Sequence, residues 1–272
     1  MKKFILDLTV SSISQPHERY VLIKLTHDRP LPDMLPGQFA EVRVDHSPAT
    51  FLRRPISVCN VDRAANELWL LVALVGEGTR QLARLKKQER LNCVLPLGNG
   101  FSTNDTLYNN KAEAAKTLLV GGGVGVAPLL YLGAELKKNG GEPTFLLGAR
   151  TAKDLLLTSE FEKYGNVFTT TEDGSEGEKG FVTQHSILQK QKFDKIYTCG
   201  PTPMMKAVAR YADSRNTDCE ASLENHMACG LGACLCCVEK VAGNNATEGK
   251  TTNVCVCKDG PVFNTKQLLW QS

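Results

Sequence analysis

Apolar and polar residues alternate over short distances in the first hundred positions. Ala40-Glu41-Val42-Arg43-Val44 has a strict period of two, and Ile23-Lys24-Leu25 a shorter stretch of it. That period marks strands with one buried face. The segments Phe4–Val10, Tyr20–Leu25, Gln38–Val44, Pro55–Asn60, Glu67–Val75 and Leu91–Leu95 are predicted strands. Turn residues lie between them at Pro36-Gly37, Asp62, Gly76-Glu77-Gly78 and Gly98-Asn99-Gly100. Short strands at this spacing predict a small antiparallel barrel. One helix is expected within it over Thr79–Lys87, with Leu82 and Leu85 on one face.

Polar Thr103–Lys116 reads as a linker, and beyond it the rhythm changes. Strands are predicted at Thr117–Val120, Thr144–Leu147, Val167–Thr171 and Lys195–Thr198. They alternate with helices at Pro128–Lys138, Leu155–Lys163, Val182–Gln189 and Pro203–Ala212. Alternation of this kind predicts right-handed crossovers and a parallel sheet. From about Cys219 the chain is cysteine-rich and reads as irregular. The expected regions are therefore residues 1–102, 103–216 and 217–272, with a β barrel followed by an α/β unit and a small tail.

Charge narrows the function classes. Lys and Arg number 32 against 29 Asp and Glu, a net +3 over 272 residues. So balanced a chain offers no global field for nucleic acid or an anionic membrane. The longest apolar run, Leu68–Val75, is far shorter than the ~20 residues of a membrane helix. The opening apolar stretch stops at Asp7, too soon for a signal peptide, so a cytoplasmic protein is expected.

The chain has 10 cysteines, and those at 229, 234, 236, 237, 255 and 257 are clustered. In a reducing compartment, clustered thiols more often bind metal than form disulfides. Cys229, Cys234 and Cys237 have the spacing C-x4-C-x2-C, that of plant-type [2Fe-2S] sites with a distant fourth cysteine. Gly230 and Gly232 suit backbone wrapped tightly round such a group. The fourth ligand is Cys255 or Cys257. They alternate, so on one strand both would face the same side, and parity does not choose. Cys236 is a spare that could replace Cys237. The competing zinc reading would want a second C-x2-C pair, which is missing. Cys59, Cys93, Cys199 and Cys219 read as buried small hydrophobes.

Two glycine turns point to a nucleotide. Gly121-Gly122-Gly123-Val124-Gly125-Val126-Ala127-Pro128 leaves a strand and opens a helix, where backbone can approach a phosphate. Cys199-Gly200-Pro201 ends the last strand at the same sheet edge. A bare strand–helix turn is the alternative. In the barrel, Arg53-Arg54-Pro55-Ile56-Ser57 offers a guanidinium fork suited to a pyrophosphate. Gly76-Glu77-Gly78-Thr79 is a second candidate phosphate contact. Solvated arginines and a plain turn are the bland alternatives.

The order of these segments resembles the ferredoxin–NADP reductase superfamily. Within it, Ser222–Cys234 and Cys257-Lys258-Asp259-Gly260-Pro261-Val262-Phe263 are similar to the electron-transfer subunits of class 1B dihydroorotate dehydrogenases. The resemblance implies an FAD-binding barrel over 1–102, an NAD-binding domain over 103–216 and a [2Fe-2S] region over 217–272. It implies FAD contacts from Arg54, Pro55, Ile56 and Ser57, from Leu71, Val72 and Ala73, and from Gly78 and Thr79. NAD would dock at Gly121, Gly122, Gly123, Gly125, Cys199, Gly200 and Pro201. Cys257 becomes the fourth ligand beside Cys229, Cys234 and Cys237.

It further implies an FMN-bearing dihydroorotate dehydrogenase catalytic partner in a complex with two of each chain. Electrons would pass from that FMN through the cluster and FAD to NAD+ in pyrimidine biosynthesis. The sequence has no obvious general base for oxidising a substrate itself, as expected if that chemistry lies in another chain. The alternatives are the small subunit of another NAD(P)H–ferredoxin or sulfide oxidoreductase, and a zinc-bearing interaction module. Arg150 and Lys153 are candidate partners for an NADP 2′-phosphate, though the resemblance favours NAD. His17, His27, His46 and His185 have no ligand-like spacing.

Overall fold

The computed structural model describes residues 1–103, 115–243 and 251–270. Of the expected linker, residues 104–114 lie outside them.

Strands β1 (Phe4–His17), β2 (Tyr20–Thr26), β3 (Phe39–Val42), β4 (Arg54–Asp62), β5 (Glu67–Ala73) and β6 (Arg90–Leu97) form a closed antiparallel barrel in the order β1-β2-β5-β4-β3-β6. Its interior is filled by residues such as Leu8, Val10, Ile23, Leu25, Val42, Val58, Leu68, Leu70 and Leu95. A fully buried Leu or Ile stabilises the fold by about 2 kcal/mol. β1 runs well past the predicted end at Val10. Its polar stretch keeps pairing with β2 through the backbone, with register shifts between Val10 and Ser12 and between Ser14 and His17. The helix expected over Thr79–Lys87 is only α1 (Glu77–Leu82).

β7 (Lys116–Gly122), α2 (Ala127–Lys138), β8 (Glu142–Ala149), α3 (Thr158–Phe161), β9 (Asn166–Thr171), β10 (Glu178–Lys179), α4 (Ile187–Lys190), β11 (Lys195–Cys199), α5 (Thr202–Ser214) and β12 (Asp218–Ser222) build the second unit. The helix predicted over Leu155–Lys163 starts late because Leu157 takes a left-handed φ of 57°. The one predicted over Val182–Gln189 breaks at His185, whose ψ of 134° is extended.

The reading of the tail as irregular is corrected. β13 (Val238–Ala242) and β14 (Thr251–Cys255) form a hairpin. The turn α6 (Val256–Asp259) leads into β15 (Val262–Asn264). The second sheet has the order β10-β9-β8-β7-β11-β12-β15, parallel except for β15. Short polar strands with little alternation, such as Asp218–Ser222, are placed by sheet pairing, which the local pattern does not reveal.

The two units share an apolar layer. Leu22, Cys59, Trp69 and Leu71 from the barrel pack with Leu129, Leu130 and Leu132 of α2. The Tyr131 hydroxyl donates to the Met34 carbonyl at 2.9 Å.

Candidate functional site

Residues 223–237 form a loop without strand or helix between β12 and β13. Two glycines make its path feasible. Gly230 has φ +66°, and a Cβ there would lie 2.7 Å from Glu41 Cγ and 3.1 Å from Leu97 Cδ1. Gly232 has φ +80°, and a Cβ would lie 2.8 Å from Lys258 Cδ. The loop therefore presses its backbone onto the outer face of β3 and β6 on one side and onto α6 on the other.

This path turns amide groups toward sulfur. The Leu231 and Cys234 N–H groups donate to Cys229 Sγ at 3.3 and 3.5 Å. The Gly232 N–H donates to Cys257 Sγ at 3.1 Å, and the Cys257 N–H to Cys237 Sγ at 3.3 Å. Side-chain hydrogen bonds also join Cys229 to Cys234 and Cys237 to Cys257. The thiols thus form two pairs. Consecutive amides reach one into each pair, so the pairs lie side by side. Among the described residues, no three His, Cys, Asp or Glu side chains converge on one ion position. Paired thiols suit two irons better than the four-ligand shell of a single zinc ion.

The field matches this use. Burial would raise the Cys229 thiol, but the N–H groups of Leu231, Cys234 and Ala233, with the Cys234 side chain, hold it down to about 6. Burial, with the hydrogen shared with Cys237, pushes Cys257 up to about 12. Cys229 of one pair is thereby disposed to ionise and Cys257 of the other to keep its proton, which a bound metal would displace.

The structure separates Cys257 from Cys255. The expectation that both face one side of a strand is corrected. β14 ends at Cys255, and α6 swings Cys257 toward the loop. Cys255 is buried at the strand end, its N–H bonded to Asp259 Oδ2 at 2.7 Å. Cys236 is exposed.

The candidate flavin segments line a break in the barrel. β4 pairs with β5 only over Val58–Asp62 and Glu67–Leu70. Arg54–Ser57 pair instead with β3, and Leu71–Ala73 with β2. Toward that end β4 and β5 part, leaving backbone donors and acceptors on both edges, as a planar heteroaromatic ring requires. The two arginines divide their work. Arg53 is committed to the barrel wall, donating to Asn92 Oδ1 at 2.6 Å and to the Asn92 carbonyl at 3.1 Å. Arg54 folds over its own loop, donating to the carbonyls of Arg53 and Leu52 at 3.0 Å. Nearby, a Cβ on Gly78 would sit 2.9 Å from Thr50 Cγ2, so α1 starts tight against the loop before Arg53. The Thr79 hydroxyl closes that turn with Gly76.

At the carboxyl edge of the second sheet, the two glycine turns touch. Gly121 is paired with Cys199, and a Cβ on Gly125 would lie 2.5 Å from Gly200 Cα. Pro201 then caps α5. The Cys199 thiol is pushed up to about 12 by burial and by the Glu224 charge, against a hydrogen bond with Ser222.

Glu41 is the residue that sequence reasoning missed. Period two predicts it on the open face of β3, yet it is 1% exposed, because the cysteine loop covers that face. Neither carboxyl oxygen has a hydrogen-bond partner among the described residues. Burial raises it to about 7, against the pull of Arg54 and Arg53.

Comparison with known proteins agrees with this geometry. Residues 224–269 match the family model for the iron–sulfur cluster binding domain of dihydroorotate dehydrogenase B. Residues 119–210 match the oxidoreductase NAD-binding domain. The chain is 42% identical over 235 residues to a Shouchella clausii protein named dihydroorotate dehydrogenase B (NAD(+)), electron transfer subunit, covering 86% of each chain. It is 38% identical to the Bacillus velezensis protein of that name, covering 96% of this chain and 97% of the other. Among solved structures, one chain of an NADH-dependent reduced ferredoxin–NADP oxidoreductase superposes with a TM-score of 0.80 at 29% identity, covering 97% of this chain and 90% of that one. The FAD/NAD-binding domain of a Vibrio cholerae nitric oxide dioxygenase shares the fold at 17% identity and TM-score 0.65, over 79% of this chain and 97% of that domain.

Proposed function

The chain belongs to the family of electron-transfer subunits of dihydroorotate dehydrogenase B, and from that premise we propose that it carries electrons from a catalytic partner subunit to NAD+. Dihydroorotate is oxidised in the partner, which we take to hold FMN and to assemble with this chain as two copies of each in the cytoplasm.

The observation that carries the reading is the pair of sulfur pairs, packed through Gly230 onto a barrel strand adjacent to the one bearing Arg54–Ser57. When bound, flavin exchanges hydride with nicotinamide and single electrons with an iron–sulfur cluster, which joins two-electron to one-electron chemistry. The residues of this chain hold and orient those groups. Cys229 and Cys234 would take one iron, Cys237 and Cys257 the other. The amides of Leu231, Gly232, Cys234 and Cys257 stabilise negative charge on the sulfurs. Arg54 supplies a cation for the flavin pyrophosphate, with Gly78 and Thr79 beside it. Ser57 and the free edge of Leu71–Ala73 offer partners to the ring, flanked by Pro55 and Ile56. The missing Cβ atoms of Gly121, Gly122, Gly125 and Gly200 let the two turns pack against each other and against α2 and α5, while Gly123 faces Tyr20 with room to spare, so the dinucleotide would approach the backbone at that turn. The neutral, buried Cys199 thiol puts no charge there.

The test is anaerobic purification of the chain, with iron, flavin and zinc counted. Two irons and one flavin per chain are expected. NADH diaphorase activity is expected without dihydroorotate oxidation until the catalytic subunit is added. Zinc in place of iron, or no flavin after full reconstitution, would overturn the proposal. A second reading, the small subunit of a ferredoxin–NAD(P) oxidoreductase, draws on the 0.80 superposition. Co-purification with a glutamate-synthase-like flavoprotein instead of an FMN protein would favour it.

A further inference from the structure

One carboxylate joins the two halves of the cleft in which nicotinamide and flavin would meet. Asp154 follows β8 in the nucleotide-binding unit. It accepts the Arg19 guanidinium, which reaches it from the tip of the β1–β2 hairpin of the barrel. His17, from the same hairpin, places Nε2 3.5 Å away on the same oxygen. The Arg19 N–H donates to His17 Nδ1 at 3.1 Å, so the hydrogen of a neutral ring is on Nε2, facing Asp154. Thr151 Oγ1 donates to the other oxygen at 3.0 Å. Two barrel side chains thus converge on one carboxylate of the other unit, which is 17% exposed.

The hairpin is braced at this point. The Tyr20 ring packs on His17 at 5.4 Å, with the Arg19 guanidinium 6.0 Å from its centroid. The Tyr20 hydroxyl lies 3.7 Å from where a Cβ on Gly123 would be, so it faces the first glycine turn. Tyr20 is also paired with Ala73, on the free edge offered to the flavin. The apolar layer shared by the units reaches this point, because Tyr20 of the barrel and Val124, Leu155 and Leu157 of the other unit pack against it, and the Tyr131–Met34 bond ties α2 to the segment after β2. Asp154 therefore adds a polar tie at the edge of that layer, beside the space between Ala73 and Gly123.

We propose that Asp154, gripped by Arg19 and His17, is a positioning residue for hydride transfer. It holds the dinucleotide-binding turns in register with the flavin edge and acts on the rate of transfer more than on nucleotide affinity. The inference rests on the flavin and NAD reading given above. Its physical basis is the steep dependence of transfer on donor–acceptor geometry, where about 1 Å of misplacement costs up to 10²-fold. Arg19 is 52% exposed, so the grip is weak enough to release and re-form.

The test uses the full chain loaded with flavin and cluster, as Asp154→Asn, Arg19→Ala and Arg19→Lys variants. Anaerobic stopped-flow mixing with NADH gives the flavin-bleaching rate at saturation and the apparent NADH affinity. Hydrogen–deuterium exchange reports the amides of 19–21 and 121–126. D154N and R19A are expected to bleach about tenfold more slowly, with affinity within about twofold and faster exchange in both segments, while R19K stays near wild type. Wild-type rates and exchange in D154N and R19A would overturn the proposal. So would a loss confined to affinity, or R19K as slow as R19A. If NADH fails to bleach the wild-type flavin, it is the functional reading that fails, not this one.

Discussion

The barrel break and the cysteine loop sit against opposite sides of the β3–β4 pair, yet they are built differently. Arg54–Ser57 and Leu71–Ala73 stand on strands whose other edges are paired, so their positions are fixed before any cofactor arrives. Residues 223–237 have no strand or helix, and their path is defined by N–H groups aimed at sulfur and by contact with Glu41 and Lys258. A backbone-built site tolerates loss of its ligand. A side-chain-built loop draws its order from the metal, because binding free energy at such sites is folding free energy.

The sharpest way to break this contrast is to remove one thiol. Cys257→Ser is expected to abolish iron binding and all electron transfer to the partner. NADH-driven flavin bleaching in the same protein should survive, since the barrel does not need the loop for its own pairing. Cys255→Ser, whose residue lies outside the sulfur pairs, should keep its iron. Counting iron and flavin in both variants checks this. Iron retained in C257S and lost in C255S would reverse the ligand assignment.

The next effect is set by Glu41, where the loop meets the barrel. Its folded value of about 7 lies above the ordinary 4.5, mainly through burial. Between those values the folded chain keeps a proton that the unfolded chain releases, so stability falls as pH rises through the window. The cost is complete above about pH 7 and amounts to about 3 kcal/mol. The Cys229 thiol, held down to about 6, pulls the other way over the same range, so the Glu41 contribution is read as the difference between wild type and Glu41→Gln in how the urea midpoint changes from pH 5 to pH 8. Glu41→Gln should gain stability at pH 8 relative to pH 5, compared with the wild type, by about that amount. An unchanged pH dependence in E41Q would mean the carboxyl finds a partner on loading.

How much of this was legible in the chain follows the same contrast. The barrel and the parallel sheet were readable, because alternation and βα rhythm are local signals, and so was the C-x4-C-x2-C spacing. Glu41 was not, because period two says which face a residue occupies and not what covers that face. Cys257 could not be told from Cys255 by the pattern alone, because the turn that separates them starts inside Val254-Cys255-Val256-Cys257. The clasp at Asp154 joins residues some 135 positions apart, a pairing with no trace in a local pattern. β12 was missed because Asp218–Ser222 is ordered by pairing with β11 and β15 and not by its own composition.

Gly230→Ala probes the seam between the two regions with a smaller change. The added methyl meets Glu41 and Leu97 while the backbone keeps a left-handed φ of +66°. A cost of about 1–3 kcal/mol is expected, carried by the loop and not by the barrel. It should appear as faster loss of iron to a chelator, with the flavin retained. Equal loss of flavin and iron would show that the two regions order together.

The smallest effect belongs to the barrel side. Thr79 closes the first turn of α1 by accepting from the Gly76 N–H and donating to the Gly76 carbonyl, both at 3.1 Å. Thr79→Ala removes a hydroxyl cap worth about 1 kcal/mol, while Gly78 keeps its close approach to Thr50. The loss should fall on flavin retention, since the turn sits beside Arg54's loop, and leave iron content unchanged. Comparing released FAD from T79A and wild type after gel filtration measures it. Because Ser47 Oγ and Thr50 Oγ1 are 2.8 Å apart and hold the facing loop independently, the variant should weaken the site without dismantling it. Complete flavin loss in T79A would mean that this side, like the cysteine loop, is held by side chains and not by its strands.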